Sequence, residues 1–194
     1  MKAYQLPKLS VKEYIHQERE SGTKYEYHNG EIFALAGGIF NHGKLCGNIY
    51  SELRSHIKHQ SKNCSAFTGE IKLHIQQRNA YVYPNAMVIC GAVETAAEDK
   101  NAVTNPIVIV EVLSKSTADY DRGDKFHFYR QIPSLREYVL IEQDKAVVDV
   151  YFKQEGTDLW RISRFEGLEQ RMVLNALGIQ ISMRELYYDI AELS

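Results

Sequence analysis

The chain has 194 residues, of which 44% are hydrophobic and 25% charged, and its formal net charge is −2. This balance is typical of an ordinary folded domain and excludes a disordered chain. The small net charge excludes a basic field over the whole surface, so a nucleic acid would need a local basic cleft. No apolar run approaches the roughly 20 residues of a membrane-spanning helix, and the segment MKAYQLPKLS lacks the apolar core of a secretion signal. We therefore expect a cytoplasmic protein without membrane contact.

The cysteine pattern favours free thiols. Cys46, Cys64 and Cys90 are odd in number, and none of them belongs to a CxxC motif. Disulfide scaffolds and structural zinc sites use more regular patterns, so reduced cysteines are expected here.

The first third of the chain predicts a helix, a hairpin and a second helix. Ser10 and Glu13 have the spacing of a capping box, which marks the start of a helix. Asn29 and Gly30 lie between two strand-like segments and predict a tight hairpin turn, whose second strand ends at Gly37–Gly38. Apolar residues at steps of four then predict an amphipathic helix: Leu45, Ile49, Leu53 and Ile57.

The middle of the chain predicts three strands and a loop. Residues 66–75 alternate between polar and apolar, as a strand with one solvent-exposed face does. Residues 81–90 are apolar after Pro84, and residues 105–114 form a continuous β-branched run. These two strands are therefore expected to be covered on both faces. The polar segment 91–104 is predicted to be a loop.

The last part predicts a helical segment, three strands and a closing helix. The helical segment lies within residues 116–134. It follows Ser or Thr caps and stops before Pro133. Ser182 and Glu185 repeat the capping-box spacing and predict the closing helix. The strands are residues 136–143, 146–154 and 159–167. Because no linker interrupts this order, we predict a single α/β domain, residues 1–194, with a mixed central sheet and helices packed against it.

One acidic residue interrupts an otherwise apolar strand. Burying a carboxylate without a partner is unfavourable, so Glu111 requires a cation, a hydrogen-bond donor or a raised pKa. A structural salt bridge and a functional role both remain open. If the strand that follows Pro84 is its neighbour, Asn85 and Glu111 line the same end of the sheet. Two oxygen ligands and a backbone carbonyl suit Mg²⁺, which keeps water in its other positions.

The chain resembles the PD-(D/E)xK, or restriction-endonuclease-like, superfamily in three ordered segments: YVYPNAMVIC, IVEVLSKSTADYDRGDKFHFYR and REYVLIE. The resemblance is closer to the Uma-two branch of endonucleases and extends over residues 10–188. The segment GEIFALAGGIFNHGKL is similar to that branch's opening strand and to the His-bearing turn before its first core helix. The resemblance implies a restriction-endonuclease-like core with an N-terminal helix and hairpin. It also implies hydrolysis of DNA phosphodiester bonds with Mg²⁺ or Mn²⁺.

The resemblance assigns roles to individual positions. Asn85 stands where the motif has an aspartate, and Glu111 matches the acidic residue of the (D/E)xK strand. Leu113 occupies the motif's lysine position, whereas Lys125 in the following helix matches the branch's own lysine. The implied metal ligands are Asn85, Glu111 and the backbone carbonyl of Val112. The implied role of the lysine is to orient the attacking water or to offset phosphate charge.

Each of three further candidate residues could have either a functional role or an ordinary structural one. Lys72 is an alternative lysine, since it shares one face of its predicted strand with Glu70 and His74. Glu31 lies near the site in the resemblance, although a carboxylate after a hairpin turn is usually just exposed. His42 precedes a helix, where it is expected to hold a phosphate, to orient a carboxylate or to cap the helix.

Several polar residues around the helical segment are weighed in the same way. Ser114 and Thr117 are helix caps first and phosphate contacts second. Tyr129 lies one helical turn after Lys125 and is expected to pack along its stem or to steady its ammonium group. Three aspartates are expected to favour the positive end of the helix: Asp119, Asp121 and Asp124.

Asn85 leaves the activity open. Asparagine keeps the size and one oxygen of aspartate but lacks its charge, so metal binding is expected to weaken. The chain is then a slow enzyme, a catalytically inactive nuclease-fold module that binds nucleic acid, or a protein whose aspartate was replaced deliberately. An assembly protein is a further, less favoured alternative. Exposed hairpin edges favour a homodimer in every case.

Overall fold

The computed structural model describes residues 8–35, 39–114, 117–191 and 193. The pair Gly37–Gly38, predicted to end a strand, lies outside these ranges. Within them, no helix is both long enough and apolar enough to cross a membrane.

Helices and strands follow one another in mixed order along the described residues. The first half comprises α1 (Val11–Ser21), β1 (Tyr25–His28), β2 (Glu31–Ala34), α2 (Phe40–His59), β3 (Cys64–Thr68), β4 (Lys72–Ile75), a 3₁₀ turn (Gln76–Arg78), β5 (Ala80–Val82), β6 (Ala86–Cys90) and β7 (Ala102–Val103). The second half comprises β8 (Val108–Leu113), α3 (Ala118–Tyr120), a π turn (Asp121–Lys125), α4 (Phe126–Tyr129), β9 (Glu137–Glu142), β10 (Val147–Lys153), β11 (Trp160–Glu166), β12 (Arg171–Leu174), β13 (Ile179–Ser182) and α5 (Met183–Leu186).

Two larger sheets and a separate hairpin contain these strands. The six-stranded sheet has the order β11-β10-β9-β8-β6-β3. Its β8 and β9 are parallel, whereas its other neighbouring strands are antiparallel. The five-stranded sheet has the order β2-β1-β5-β4-β7, and β12 pairs with β13. The α/β class and the mixed sheet predicted from the sequence are confirmed.

The core lies on both faces of the six-stranded sheet. On one face, the predicted apolar stripe of α2 packs with alternate residues of β8: Val108, Val110 and Val112. On the other face, Ile109 and Leu113 pack with Tyr129 of α4 and Tyr138 of β9. The alternation along β8 therefore directs Glu111 toward the helical segment, because successive strand residues point to opposite faces.

The short-range signals of the first third are confirmed. Ser10 Oγ accepts a hydrogen bond from the Glu13 N–H (3.3 Å), and the Ser10 N–H donates to the Glu13 carboxylate (2.7 Å). Asn29 and Gly30 turn the β1–β2 hairpin with positive φ angles of 49° and 103°. Asparagine and glycine adopt such angles most readily, which is why this pair is a strong hairpin signal.

The two strands predicted for residues 66–75 and 81–90 bend and pass between sheets. β3 pairs with β6 in one sheet, and β4 pairs with β5 in the other. At the bend, Pro84 has no N–H for a ladder, and a Cβ on Gly69 would lie 3.4 Å from the Pro84 carbonyl oxygen. Prediction of an unbroken strand is therefore wrong for both segments. The bend places Asn85 at the junction of the two sheets, immediately before β6.

The C-terminal part differs from prediction mainly at its end. The strands β9, β10 and β11 are confirmed, but the closing helix is limited to α5, and Ser182 forms no side-chain cap. The predicted second capping box is wrong because Ser182 is the last residue of β13 and is paired with Arg171. The β12–β13 hairpin was not predicted. The predicted loop 91–104 also contains the short strand β7, which pairs with β4.

The expectation of reduced thiols is wrong for two of the three cysteines. Cys64 begins β3 and Cys90 ends β6, and the antiparallel register places them directly opposite each other. They are joined by a disulfide, whereas Cys46 is free. Their spacing in sequence gave no signal, because the pairing depends on a long-range strand register.

Glu137, the first residue of β9, is a buried carboxylate and belongs to none of the ion pairs among the described residues. It accepts hydrogen bonds from the backbone N–H groups of Asn175 (2.6 Å) and Ala176 (3.2 Å). Burial outweighs these bonds and raises the pKa of Glu137 to about 7. The folded state therefore binds a proton more tightly than the unfolded state does.

Replacing Glu137 by glutamine is expected to change the pH dependence of stability. The contribution of Glu137 is fully present below its ordinary pKa of 4.5 and is lost as the pH rises through about 7. Glu137→Gln removes this titration. The free energy of unfolding of the variant, relative to that of the wild type, should therefore increase on the order of 2–3 kcal/mol between pH 4.5 and pH 8. Urea unfolding at the two pH values measures this change. A difference that does not change with pH would contradict the raised pKa.

Candidate active site

Glu111 is the central residue of the candidate site. Its side chain is buried, and its Oε1 accepts hydrogen bonds from Lys125 Nζ (3.1 Å) and from the Tyr129 hydroxyl (2.7 Å). Its Oε2 accepts from the backbone N–H of Asn85 (3.3 Å). The carboxylate thus has the cation and the donors that burial requires. β6, which begins directly after Asn85, pairs with β8, which carries Glu111, as expected.

Lys125 lies among three carboxylates and is itself buried. Its Nζ is 3.1 Å from Glu111 and 3.1 Å from Asp121, and 3.7 Å from Glu26 of β1. The Lys125 ammonium also lies 5.7 Å from the centre of the Tyr120 ring, a cation–π distance. The π turn that carries Asp121 and Lys125 holds both side chains on the face of the helical segment that meets β8.

The pKa values of this cluster follow from burial and mutual attraction. Burial raises the pKa of Glu111 to about 7, against the opposing effects of Lys125 and Tyr129. Burial alone would lower the pKa of Lys125, but the surrounding carboxylates outweigh it and raise the pKa above its ordinary 10.5. Lys125 is therefore a cation, not a base, at neutral pH. For Glu26, hydrogen bonding and the nearby ammonium outweigh burial and lower the pKa.

Asn85 connects β8 to His42, which lies in the first turn of α2 and not before the helix as was predicted. Its Oδ1 accepts a hydrogen bond from the backbone N–H of Val112 (2.7 Å), and its Nδ2 lies 3.3 Å from His42 Nε2. Because the Val112 N–H can only donate, the amide oxygen faces Val112 and the amide NH₂ faces His42. His42 Nε2 must then accept, which leaves the proton on Nδ1, a buried atom without a hydrogen-bond partner. Burial lowers the pKa of His42, consistent with a neutral ring.

The oxygens around Glu111 fit a weakly held divalent cation. No three His, Cys, Asp or Glu side chains within the described ranges are grouped so that they could hold a metal ion. Three groups can still offer an oxygen as a metal ligand: the Glu111 carboxylate, the Asn85 amide, whose oxygen has a second lone pair, and the Val112 carbonyl. Mg²⁺ is often held by one or two carboxylates with water in its other positions. These oxygens are of the type that Mg²⁺ or Mn²⁺ would bind, although only one of the three groups is a carboxylate.

The alternative lysine lies apart from this site. Lys72 pairs with Glu18 and, at 2.7 Å, with Asp99. Glu70 lies in the turn after β3, not on a strand, so the shared strand face predicted for Glu70 and Lys72 is wrong. The lysine that contacts Glu111 is the one on the helical segment.

The structure also shows the surroundings of Tyr129, Thr117 and Glu31. Tyr129 donates to the Glu111 carboxylate instead of steadying the lysine. The hydroxyl oxygens of Ser114 and Thr117 are 2.9 Å apart, and Thr117 precedes α3 without forming a side-chain cap, so its predicted capping role is wrong. Glu31, at the start of β2, is exposed and lines a cavity beside the site.

Sequence reasoning missed two carboxylates of the cluster. Asp121 was expected to serve the helix dipole, but its side chain is buried against Lys125. Their i, i+4 spacing was the available signal. Glu26 shares a face of β1 with His28, whose Nε2 lies 3.4 Å from the Glu26 carboxylate. The alternation of these polar residues with tyrosines in KYEYH indicated a polar strand face, but not what it would meet.

The fold is similar to that of a solved structure. A crystal structure from Anabaena variabilis ATCC 29413, of a protein described as a "putative nuclease belonging to DUF820", matches this structure with a TM-score of 0.71. The match covers 92% of this chain and 98% of that chain at 17% sequence identity. At this identity the likeness concerns the fold alone, which is a nuclease-like α/β fold.

The chain belongs to the Uma2 family, whose model is described as "Putative restriction endonuclease" and matches residues 11–184. The resemblance to the restriction-endonuclease-like superfamily is thereby confirmed. Two relatives from Synechocystis sp. are uncharacterized proteins. One, slr1290, is 30% identical over 185 residues, which cover 95% of this chain and 94% of the relative. The other, sll1609, is 35% identical over 159 residues, which cover 82% and 88%.

Proposed function

We propose that this Uma2 protein is a metal-dependent endonuclease that hydrolyses DNA phosphodiester bonds, and that Asn85 limits its rate. The observation that carries the proposal is the buried pair of Glu111 and Lys125, whose charged atoms are 3.1 Å apart, next to Asn85 at the junction of the two sheets. Such a pair offers an oxygen ligand for a cation next to a permanent positive charge for a phosphate. Membership of a nuclease family and the nuclease-like fold support the same reaction class.

The side chains have separable roles in this proposal. Glu111, the Asn85 amide oxygen and the Val112 carbonyl would hold Mg²⁺ or Mn²⁺. When bound, the ion supplies Lewis acidity, which activates water and stabilises negative charge on the phosphate. Lys125 donates hydrogen bonds to a phosphate oxygen or to the attacking water, and because it stays protonated it does not remove the proton. Tyr129 fixes the orientation of the Glu111 carboxylate.

Nicking of supercoiled plasmid DNA tests this proposal. The wild-type chain is expected to nick slowly with Mn²⁺ or Mg²⁺ and not with EDTA. Glu111→Gln should reduce the rate by about 100-fold, because it removes the carboxylate ligand and the partner of Lys125. Glu185→Gln, the same change at an exposed position of α5, is the matched control. An RNA of the same sequence, assayed in parallel, tests the choice of DNA.

Equal nicking by the wild type and Glu111→Gln would show that the activity does not come from this site. Absence of metal-dependent nicking by every variant would remove the enzyme proposal.

A catalytically inactive module that binds nucleic acid is the second candidate. It is favoured by the lack of a three-ligand group among the described residues and by the neutral side chain of Asn85. Binding of DNA that persists in EDTA and weakens with salt, without cleavage, would support it, because neutralised phosphates release counterions. The homodimer and the cytoplasmic location stay predictions, and light scattering on the purified chain tests the first of them.

A further inference from the structure

A cavity of about 450 Å³ lies beside the candidate site and is called the aromatic cavity below. Its volume falls within the roughly 300–1,000 Å³ of typical small-molecule sites. Residues from β1, β2, α3 and α4 line it: Glu26, His28, Glu31, Phe33, Tyr120 and Phe128.

Four rings surround the space within the aromatic cavity. The His28 ring centre is 5.7 Å from that of Phe33, 6.0 Å from that of Phe128 and 6.4 Å from that of Tyr120. Phe33 lies on β2, the edge strand of its sheet, and its side chain is 52% exposed. A large apolar side chain left exposed beside other rings provides a flat surface on which a planar ligand can stack.

The aromatic cavity adjoins the Glu111–Lys125 pair through two of its lining residues. Glu26 lines the cavity, and its Oε1 is 3.7 Å from Lys125 Nζ. Tyr120 also lines the cavity, and its ring centre is 5.7 Å from the same ammonium. A ligand in the cavity would therefore contact Glu26 and Tyr120, both of which lie beside the Lys125 ammonium that is proposed to contact the scissile phosphate.

The charges in the aromatic cavity select the part of a nucleotide that fits it. The carboxylates of Glu26 and Glu31 repel a phosphate but accept hydrogen bonds from the N–H groups of a base. The guanidinium of Arg78 lies 5.3 Å from the Phe128 ring centre and supplies a positive charge at the cavity's side. Rings and carboxylates together suit a nucleobase, with its phosphates outside the cavity.

We propose that the aromatic cavity binds one unstacked nucleobase next to the scissile phosphate, so that the substrate is single-stranded DNA or DNA with unpaired bases. This inference rests on the proposed nuclease function. A base in an intact duplex cannot stack on Phe33 unless it is first extruded, at a cost in pairing and stacking energy. Base stacking on aromatic side chains is the usual basis of single-strand binding and tolerates all four bases.

Binding of a fluorescein-labelled 20-nucleotide DNA, as a single strand and as a duplex, tests this inference by anisotropy in EDTA. The wild type is expected to prefer the single strand, and Phe33→Ala should weaken single-strand binding by about 10-fold while leaving duplex binding unchanged. Ile162→Ala is the matched control, because Ile162 is 58% exposed on β11, the edge strand of the other sheet. It should bind as the wild type does.

A strand that carries 2-aminopurine gives a second readout, since stacking quenches its fluorescence. Quenching is expected with the wild type and with Ile162→Ala, but not with Phe33→Ala. Equal affinity for single strand and duplex, or single-strand binding by Phe33→Ala equal to that of its control, would overturn the base-binding cavity. Because these measurements exclude metal and cleavage, that failure is distinguishable from failure of the nuclease proposal, which plasmid nicking tests separately.

Discussion

Replacing Asn85 by aspartate is expected to raise the affinity for Mn²⁺ by about 10-fold or more and to raise the cleavage rate with it. A carboxylate at this position keeps the hydrogen bond that Asn85 Oδ1 accepts from the Val112 N–H (2.7 Å). It also adds a second negative charge beside the Glu111 carboxylate. A hard divalent cation prefers such an anionic oxygen to the neutral oxygen of an amide. Calorimetric titration with Mn²⁺ measures the affinity.

His42 gives a readout of the same substitution that does not depend on activity. In the wild type its Nε2 faces the NH₂ of Asn85, so the ring accepts there and its buried Nδ1 has no partner. An aspartate would accept a hydrogen bond from Nε2–H, which favours the charged ring and raises the pKa of His42. NMR titration of the His42 ring should show this rise.

The matched control for this prediction is Asn63→Asp, the same change at an exposed residue before β3. It should leave both the Mn²⁺ affinity and the His42 titration unchanged. If Asn85→Asp also leaves them unchanged, Asn85 does not limit metal binding.

Replacing Lys125 by methionine is expected to destabilise the fold by about 3–5 kcal/mol, because it leaves a buried charge uncompensated. The ammonium is 3.1 Å from both Glu111 and Asp121, and these three side chains are buried. The loss should be smaller at pH 5, because burial raises the pKa of Glu111 to about 7 and so keeps this carboxyl protonated in the folded state. Urea unfolding at pH 5 and pH 8 measures it, with the exposed Lys58→Met as control.

A double variant separates charge from packing. Adding Glu111→Gln to Lys125→Met also removes the carboxylate that the lysine neutralises. Part of the lost stability should therefore return, without any return of cleavage. If Lys125→Met is as stable as the wild type at pH 8, the carboxylates around it are not held as a charged cluster. The positive charge assigned to Lys125 in the mechanism would then lack its structural basis.

Local sequence signals predicted much of the fold. The Ser10–Glu13 capping box and the Asn29–Gly30 turn each depend on neighbouring residues, and both are present. The isolation of Glu111 in an apolar strand correctly indicated a buried carboxylate with partners.

Features that depend on distant parts of the chain could not be predicted in this way. At the bend, Pro84 lies close to Gly69 in the turn after β3, and neither residue specifies the change of sheet alone. Glu26 reaches Lys125 only because the hairpin of the five-stranded sheet lies against the helical segment. Ser182 has a capping-box spacing, but strand pairing with Arg171 takes precedence over it.

The most direct test of a nuclease site built on Glu111 is plasmid cleavage in Mn²⁺ by the wild type, by Asn85→Asp, and by Asn85→Asp combined with Glu111→Gln. We expect slow nicking by the wild type, faster cleavage by Asn85→Asp and loss of that gain in the double variant. Cleavage by the double variant at the rate of Asn85→Asp, or none by Asn85→Asp, would contradict a nuclease site built on Glu111.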